Sequence, residues 1–364
     1  MKFEMPKYKA PDFNTDFFIN APDVKLVEVE KEGVSPENYH ALSVFPEYFK
    51  VNGKWILATK SRMDSACVVN DEPGNESLRV VELRNLKKGD KVAVGRKEDG
   101  SEGIFMYAHG FNASLKCSDT FAFRCGRSRE TAFSVDYDRL YDILRNEKKN
   151  NGYVTWVLGT AISLDRGTRS ALEKLIRDGY VDAILCGTSL AAFDLECAVC
   201  DTVWGQEVFV KEQTTMGNYY ETINMVREAG SIEEFIKTGK AKDGIIKACV
   251  ECGVPFVLSG TIRDRFTLPG TYNDVRQAQD AMRVHAKKTS TIIMVSTALF
   301  TIATGNMTPS YNEFDGIVRP VYMYTVDIQE FAVNKLADRG TLTATSVVTN
   351  TQDFIKHIGR ALAN

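Results

Sequence analysis

A Rossmann-like α/β fold, its parallel sheet covered by helices on both faces and preceded by a small β-rich domain, is predicted by three features of the sequence. From residue 134 onward, strand-like and helix-like segments alternate. The strands there are near-continuous apolar runs, the mark of a parallel sheet buried on both faces. Residues 22–133 instead carry short, evenly spaced strand-like runs separated by Gly, Pro and Asn, which suit a small barrel or sandwich. At 364 residues the chain is long enough for two such domains.

Within 22–133 the runs are VKLVEV, YFKVNGKWILAT, DSACVV, LRVVEL and KVAVG. Asn52-Gly53 between YFKV and KWIL predicts a two-residue hairpin, because a type I′ turn needs positive φ twice. Lys87-Lys88-Gly89-Asp90 predicts a turn into KVAVG. Phe105 to Phe133 reads as a connecting loop, and residues 1–21 as an extended arm. Beyond 134, SVDYDRLYDILRNEKKN predicts a helix, YVTWVLG a strand, TRSALEKLIRDGY a helix and VDAILCG a strand. The alternation continues through SIEEFIKTGK, GIIKACVECG, VPFVLSG, VRQAQDAMRVHAKK, TIIMVS, VYMYTVD and QEFAVNKLADRG.

Composition narrows the function. Hydrophobic residues are 44% and charged residues 26%, as in ordinary globular proteins, and the net charge of −3 gives no footprint for nucleic acid. No stretch approaches the roughly 20 apolar residues of a membrane span, and the N-terminus lacks the apolar core of a signal peptide. A cytoplasmic enzyme acting on a small molecule, with no nucleic-acid or membrane partner, is the expectation. The eight cysteines are read as reduced. Cys197-x-x-Cys200 and Cys249-x-x-Cys252 could supply four thiolates to zinc, but both lie in helix-like stretches without Gly-containing knuckles, so core cysteines and no metal are expected. The four histidines are scattered; His285 and His357 read as solvated, and His40 as a residue that could face the domain junction.

In parallel sheets ligands sit at the carboxyl ends of the strands. Gly187-Thr188-Ser189 follows VDAILC, and Ser259 opens the run to Arg263 and Asp264 after VPFVL. TIIMV leads through an apolar, helix-like stretch to Thr304-Gly305-Asn306-Met307, and VYMYTV ends at Asp327. Glycines allow close backbone approach, helix starts suit phosphate, and a strand-end carboxylate suits a ribose diol. Taken singly, each cluster also reads as a turn with a helix cap, and Asp327 as an N-cap. Together they suit a dinucleotide, although GxGxxG is absent, as are G-x-S-x-G, HExxH and Walker A motifs.

The stretch from REAGSIEEF to QAQDAMR, with Ile302-Ala303-Thr304-Gly305-Asn306-Met307-x-Pro309-Ser310, Val326-Asp327-Ile328, KLADRGT and Arg62-Met63-Asp64, closely resembles the archaeal-type ornithine cyclodeaminase family. That family, labelled LOR/SDH, also supplies the C-terminal half of cyanobacterial arginine dihydrolase fusions. The resemblance covers nearly the whole chain, without the family's N-terminal ACT-like segment. It implies a deoxyhypusine synthase-like NAD domain; Glu251 stands where the synthase has its catalytic Lys, so deoxyhypusine synthesis is not expected. It implies NAD held by Gly187, Thr188, Ser189, Ser259, Arg263, Asp264, Thr304, Gly305, Asn306, Met307 and Asp327. It also implies a homo-oligomer and internal redox. The α-hydride of ornithine passes to the cofactor, the δ-amine attacks the resulting imine, ammonia leaves, and the hydride returns to give proline. Asp264 or Asp194 would be the acid/base, and Arg263 or Arg62 the carboxylate anchor.

The sequence departs from the family's G-N-A-L-A at Thr188-Ser189, from its His-Asp at Phe193-Asp194, and from its R-D-D-G-P-L-P at Arg265-Phe266-Thr267. These changes leave open a redirected NAD-dependent dehydrogenase or lyase on another amine, and a non-catalytic NAD-binding regulatory protein.

Overall fold

The computed structural model describes residues 4–111, 134–201, 215–262, 264, 266–329 and 341–363. The N-terminal part carries α1 (Asp16–Asn20), β1 (Lys25–Glu28), β2 (Glu47–Val51), β3 (Lys54–Leu57), β4 (Ala66–Asn70), β5 (Ser77–Val81), β6 (Lys91–Val94) and β7 (Ile104–Met106). They form two antiparallel sheets, ordered β1-β6-β4-β5 and β3-β2-β7. Asn52 and Gly53 adopt φ of 48° and 77° between Val51 and Lys54, which pair, as the hairpin signal requires. The arm is not wholly extended: α1 lies within it. Its last carbonyls are held by the buried Lys50 ammonium, which donates to Phe18 (3.1 Å), Ile19 (2.8 Å) and Ala21 (2.7 Å). A cation at a helix C-terminus satisfies carbonyls that have no intrahelical partner.

The second part is a doubly wound sheet. Its strands are β8 (Val154–Leu158), β9 (Ala183–Gly187), β10 (Phe256–Ser259), β11 (Thr271–Tyr272), β12 (Thr291–Val295), β15 (Tyr322–Asp327) and β16 (Ala344–Val348). A separate hairpin pairs β13 (Tyr311–Phe314) with β14 (Ile317–Pro320). The sheet order is β11-β10-β9-β8-β12-β15-β16, every pair parallel. The chain steps outward from β8 to β11, then crosses to the other side of β8 as β12.

Side chains alternate faces along each strand. Trp156, Leu158, Ile184, Cys186, Ile293 and Tyr324 point into the larger core with α2 (Ser134–Lys149), α3 (Arg166–Arg177), α4 (Thr188–Cys200), α5 (Thr215–Ala229), α6 (Ile232–Lys237) and α7 (Ile245–Cys252). Val157, Leu185, Ile292, Met294 and Met323 point the other way, under α8 (Val275–Ala286) and α9 (Ala298–Met307). The C-terminal helix α10 (Thr351–Leu362) packs beside α3, where a Cβ on Gly359 would lie 3.1 Å from that of Ala171. The segment QEFAVNKLADRG lies almost wholly outside the described residues. Both CxxC pairs sit in helices, α4 and α7, and among the described residues all six cysteines are free thiols. No described helix is long and apolar enough to cross a membrane.

The two parts meet at the amino edge of the parallel sheet. The buried Tyr311 hydroxyl donates to the Ala58 carbonyl (2.6 Å) and accepts from the Glu47 N–H (3.4 Å). Arg283, at the end of α8, reaches Glu82 (2.7 Å). His40 is buried at this junction, with Nε2 2.6 Å from Glu47 Oε2. His285, expected in solvent, is instead half-buried, its Nδ1 2.7 Å from the Tyr153 hydroxyl. Burial, and then the charge of Lys288, push its pKa down. A depressed histidine pKa means that the unfolded chain takes up the proton more readily. Stability is therefore full above the unfolded value of about 6.5 and is lost as pH falls below it. The urea midpoint should fall between pH 7.5 and 5.5, and His285→Gln should flatten that slope.

Candidate active site

The crossover from β8 to β12 creates a topological switch point, and the crevice outside the carboxyl ends of those strands is where such sheets bind ligands. The backbones there are packed to contact. A Cβ on Gly159, the residue after β8, would lie 1.8 Å from the carbonyl oxygen of Ser296, the residue after β12. Ser296 itself adopts φ of 59°. Neither residue stands out in the sequence, because VTWVLG and TIIMVS read as ordinary strand ends and only the strand order makes them neighbours.

Around this point the structure brings together four of the expected strand-end positions. Gly187 closes β9 and pairs in register with Ser259 at the end of β10. Thr188 begins α4, is buried, and points its hydroxyl at the Ser259 carbonyl (3.5 Å). Gly187, as N-cap, offers no side chain to the N–H groups of the first turn, which contains Thr188 and Ser189. Other helices in this domain have such a cap: Asp165 for α3, Ser231 for α6, Asp274 for α8, Thr297 for α9 and Asn350 for α10. The α4 N-terminus therefore presents donors and a positive dipole end beside the switch point, as an anion requires. Asp327 ends β15, half-buried, and accepts from the Gln329 N–H (3.0 Å).

Beyond β10 the chain forms an open groove of about 630 Å³ lined by Gly260, Thr261, Asp264, Phe266 and Asn273, among others. Gly260 sits close to its neighbours: a Cβ there would lie 3.0 Å from Asn273 Oδ1 and 3.2 Å from the Tyr272 carbonyl oxygen. Asp264 accepts from the Thr261 N–H (2.8 Å) and hydroxyl (3.1 Å), which ties the turn. Its carboxylate, after burial, also helps to hold the nearby Tyr219 phenol above its ordinary pKa. Arg263 and Arg265 lie outside the described residues.

Other expected site residues fall elsewhere. Thr304, Gly305, Asn306 and Met307 do not lie at a strand end. Residues 298–307 are α9, whose ten residues carry the chain roughly 15 Å back along the sheet. Phe300, near its start, packs against Gly187, whereas Gly305 and Asn306, at its end, line a cavity with Met323, the second residue of β15. Arg62 lies in that same cavity, at the amino edge, and so does not anchor a ligand in the crevice of its own chain.

Asp194 is fully buried and saturated. It accepts from Arg169 Nε (2.8 Å) and from the N–H groups of Ile245 (3.1 Å) and Ile246 (2.9 Å) at the start of α7. Burial works against the Arg169 charge, but Asp194 more than compensates and raises its pKa. Asp194 is a buried counter-ion and helix cap rather than an acid/base. Phe193 packs on Tyr219 (ring centroids 4.6 Å apart), which meets Phe266 edge-on at 5.4 Å, so its aromatic ring belongs to a wall behind the groove.

A doubly wound sheet with its crevice at the switch point defines a Rossmann-fold protein with a nucleotide-type site. The chain belongs to the family of arginine dihydrolase ArgZ-like C-terminal regions: its Rossmann-fold model matches residues 139–358 and its first-region model residues 46–123. This is an enzyme family. The ornithine cyclodeaminase of Methanocaldococcus jannaschii is 33% identical over 344 residues, 92% of this chain and 76% of that protein. A conserved LOR/SDH protein from Methanococcus maripaludis S2 superposes with a TM-score of 0.80 at 30% identity, covering 94% of this chain and 98% of that one. AgrE, the bifunctional arginine dihydrolase/ornithine cyclodeaminase of Nostoc sp. PCC 7120, has been solved as a ternary complex with ornithine and NAD+. It is 29% identical with a TM-score of 0.58, and the match covers 94% of this chain but 46% of AgrE. The expected likeness to deoxyhypusine synthase is distant, 10% identical with a TM-score of 0.39.

Proposed function

We propose that this chain is an NAD-dependent enzyme of amino-acid metabolism that converts ornithine to proline and ammonia by internal hydride transfer. The observation that carries the reading is the uncapped N-terminus of α4 at the switch point, within a family whose relative AgrE binds ornithine and NAD+. The N–H groups of Thr188 and Ser189 would hold the diphosphate, with Gly187 and Ser259 leaving room for the backbone to approach it. Asp327 would accept from the ribose hydroxyls. When bound, NAD supplies a hydride acceptor that becomes the donor in the second half of the reaction.

Of the two candidate acid/base carboxylates, only Asp264 borders the open groove, so it takes the proton-transfer role at the substrate amine. Arg263, beside it in sequence, is the substrate-carboxylate anchor in this reading. Large apolar side chains at Ile262, Val275, Leu299 and Ile328 are exposed on the same edge. A second copy covering them would make the enzyme a homo-oligomer, which light scattering tests.

Asp327→Ala should weaken NAD binding about tenfold, roughly 1.4 kcal/mol, the scale of one hydrogen bond to a charged group. Asp264→Asn should lower kcat about 100-fold, the scale of a lost general acid/base, with NAD affinity within about twofold of wild type. Unchanged turnover by Asp264→Asn would remove it from the chemistry.

A second reading is a dehydrogenase or lyase on a different amine. It is favoured by the apolar wall of Phe193, Tyr219 and Phe266 at a place where the family has a histidine. Net accumulation of NADH with an amine other than ornithine would select it.

A further inference from the structure

Ser296 is the residue at which β12 leaves the sheet, and its backbone is unusual for its side chain. Eight described non-glycine residues adopt positive φ, and six of them are Asn or Asp, whose short polar side chains tolerate the left-handed region. Ser296, at φ of 59°, is one of the other two; Lys60, in the N-terminal part, is the second. Such a conformation persists only where the surroundings fix it. Here the Ser296 N–H donates to the Val326 carbonyl (3.0 Å), and the Gly159 N–H donates to the Val295 carbonyl (2.9 Å). The parallel ladder thus runs one residue past the strands on both sides of β12.

This backbone sets one side chain at the switch point. A Cβ on Gly159 would lie 3.3 Å from the Cβ of Ser296 as well as against its carbonyl, so the Ser296 side chain starts beside the bare end of β8. Ser296 is half-buried, and its hydroxyl has no hydrogen-bond partner among the described residues. Its neighbours are engaged: Thr297 accepts from the Phe300 N–H (3.4 Å), and Asp327 from the Gln329 N–H (3.0 Å). Strain of this kind concentrates at ligand clamps, and here it fixes a hydroxyl that no described protein group uses.

Strand order says which part of a ligand meets that hydroxyl. Neighbouring strands lie about 4.8 Å apart, so the ends of β9 and β15, three steps apart in the sheet, are separated by roughly 14 Å. A dinucleotide with its diphosphate on the α4 N-terminus and a ribose on Asp327 crosses β8 and β12 on the way, at Gly159 and Ser296. Gly159 offers no side chain there; Ser296 offers a donor.

We propose that Ser296 is a cofactor-contact residue, its hydroxyl donating to the ribose–phosphate segment of NAD between the α4 N-terminus and Asp327, an inference that rests on the NAD-binding reading above. Calorimetry and thermal denaturation of the full chain carrying Ser296→Ala or Ser296→Gly, with NAD and ADP-ribose as probes, test it. Ser296→Ala keeps the strain and loses the hydroxyl. Its Tm stays within about 2 °C of wild type, while both probes bind about tenfold more weakly, the scale of one hydrogen bond to a charged group. Ser296→Gly relieves the strain, so its Tm rises, yet it loses the same affinity. A residue with a purely structural role would not give a variant that is more stable and binds less well.

Wild-type affinity of Ser296→Ala for both probes would overturn the assignment and leave the strain to the turn alone. Weaker NAD binding with unchanged ADP-ribose binding would overturn it too, because the hydroxyl would then serve the nicotinamide end. A Ser296→Gly variant no more stable than wild type would contradict the premise of strain, and a Ser296→Ala variant that melts well below wild type would place the hydroxyl in the fold. If the wild-type chain bound neither probe, the NAD reading itself would fall and take this inference with it. Wild-type binding that the variants leave untouched would remove this inference alone.

Discussion

Replacing Gly159 with alanine is expected to cost roughly 3 kcal/mol of stability, the upper end of ordinary overpacking, and to lower Tm by about 6–12 °C. The added Cβ would meet the Ser296 carbonyl oxygen at 1.8 Å and its carbon at 2.6 Å, and both are backbone atoms that no side-chain rotation can move aside. Gly159 has φ of −86°, which any residue adopts, so the requirement is for space and not for glycine's conformational freedom. Because the clash is between the two strands that flank the switch point, NAD binding should weaken together with stability. Thermal denaturation and calorimetry on the same preparation check both. A variant that melts like wild type would mean that β8 and β12 do not approach as described.

Asp194→Ala should be still more damaging, about 3–5 kcal/mol, because it strands the Arg169 guanidinium in the interior and uncaps α7. Arg169 also touches Asp243 (2.8 Å), but that carboxylate is half-exposed and leaves the buried charge only partly matched. A buried counter-ion and a catalytic acid are separated by Asp194→Asn. It should shift the denaturant midpoint strongly, and the remaining folded protein should keep its turnover. An acid/base would show the reverse: near-wild-type stability with turnover lost.

Local pattern sufficed for much of the fold. Asn52-Gly53 specifies a turn within four residues, and the apolar strands around Trp156, Ile184 and Ile293 announce a sheet buried on both faces. The strand-end positions Gly187, Ser259 and Asp327 were legible for the same reason, as each directly terminates an apolar run. Thr304–Met307 differ: TIIMVSTALFTIA reads as a strand running into a helix, but the direction in which that helix carries the chain, back along the sheet and away from Ser296, depends on packing that no local pattern encodes. Gly159 and Ser296 gain their meaning from a crossover between strands more than 130 residues apart in sequence, which no local pattern encodes. Asp194 looked catalytic because a carboxylate near a strand end can cap a helix, pair with a base or move a proton. Only the position of Arg169 and of the α7 N-terminus decides among these.

The most direct test of the proposed chemistry is turnover of ornithine carrying deuterium at the α-carbon, with NAD present, followed by mass spectrometry of the product and assay of ammonia and NADH. Internal transfer predicts proline that retains the deuterium, one ammonia per proline, and no net NADH. Loss of the label, accumulation of NADH, or absence of proline would contradict ornithine cyclodeamination by this chain.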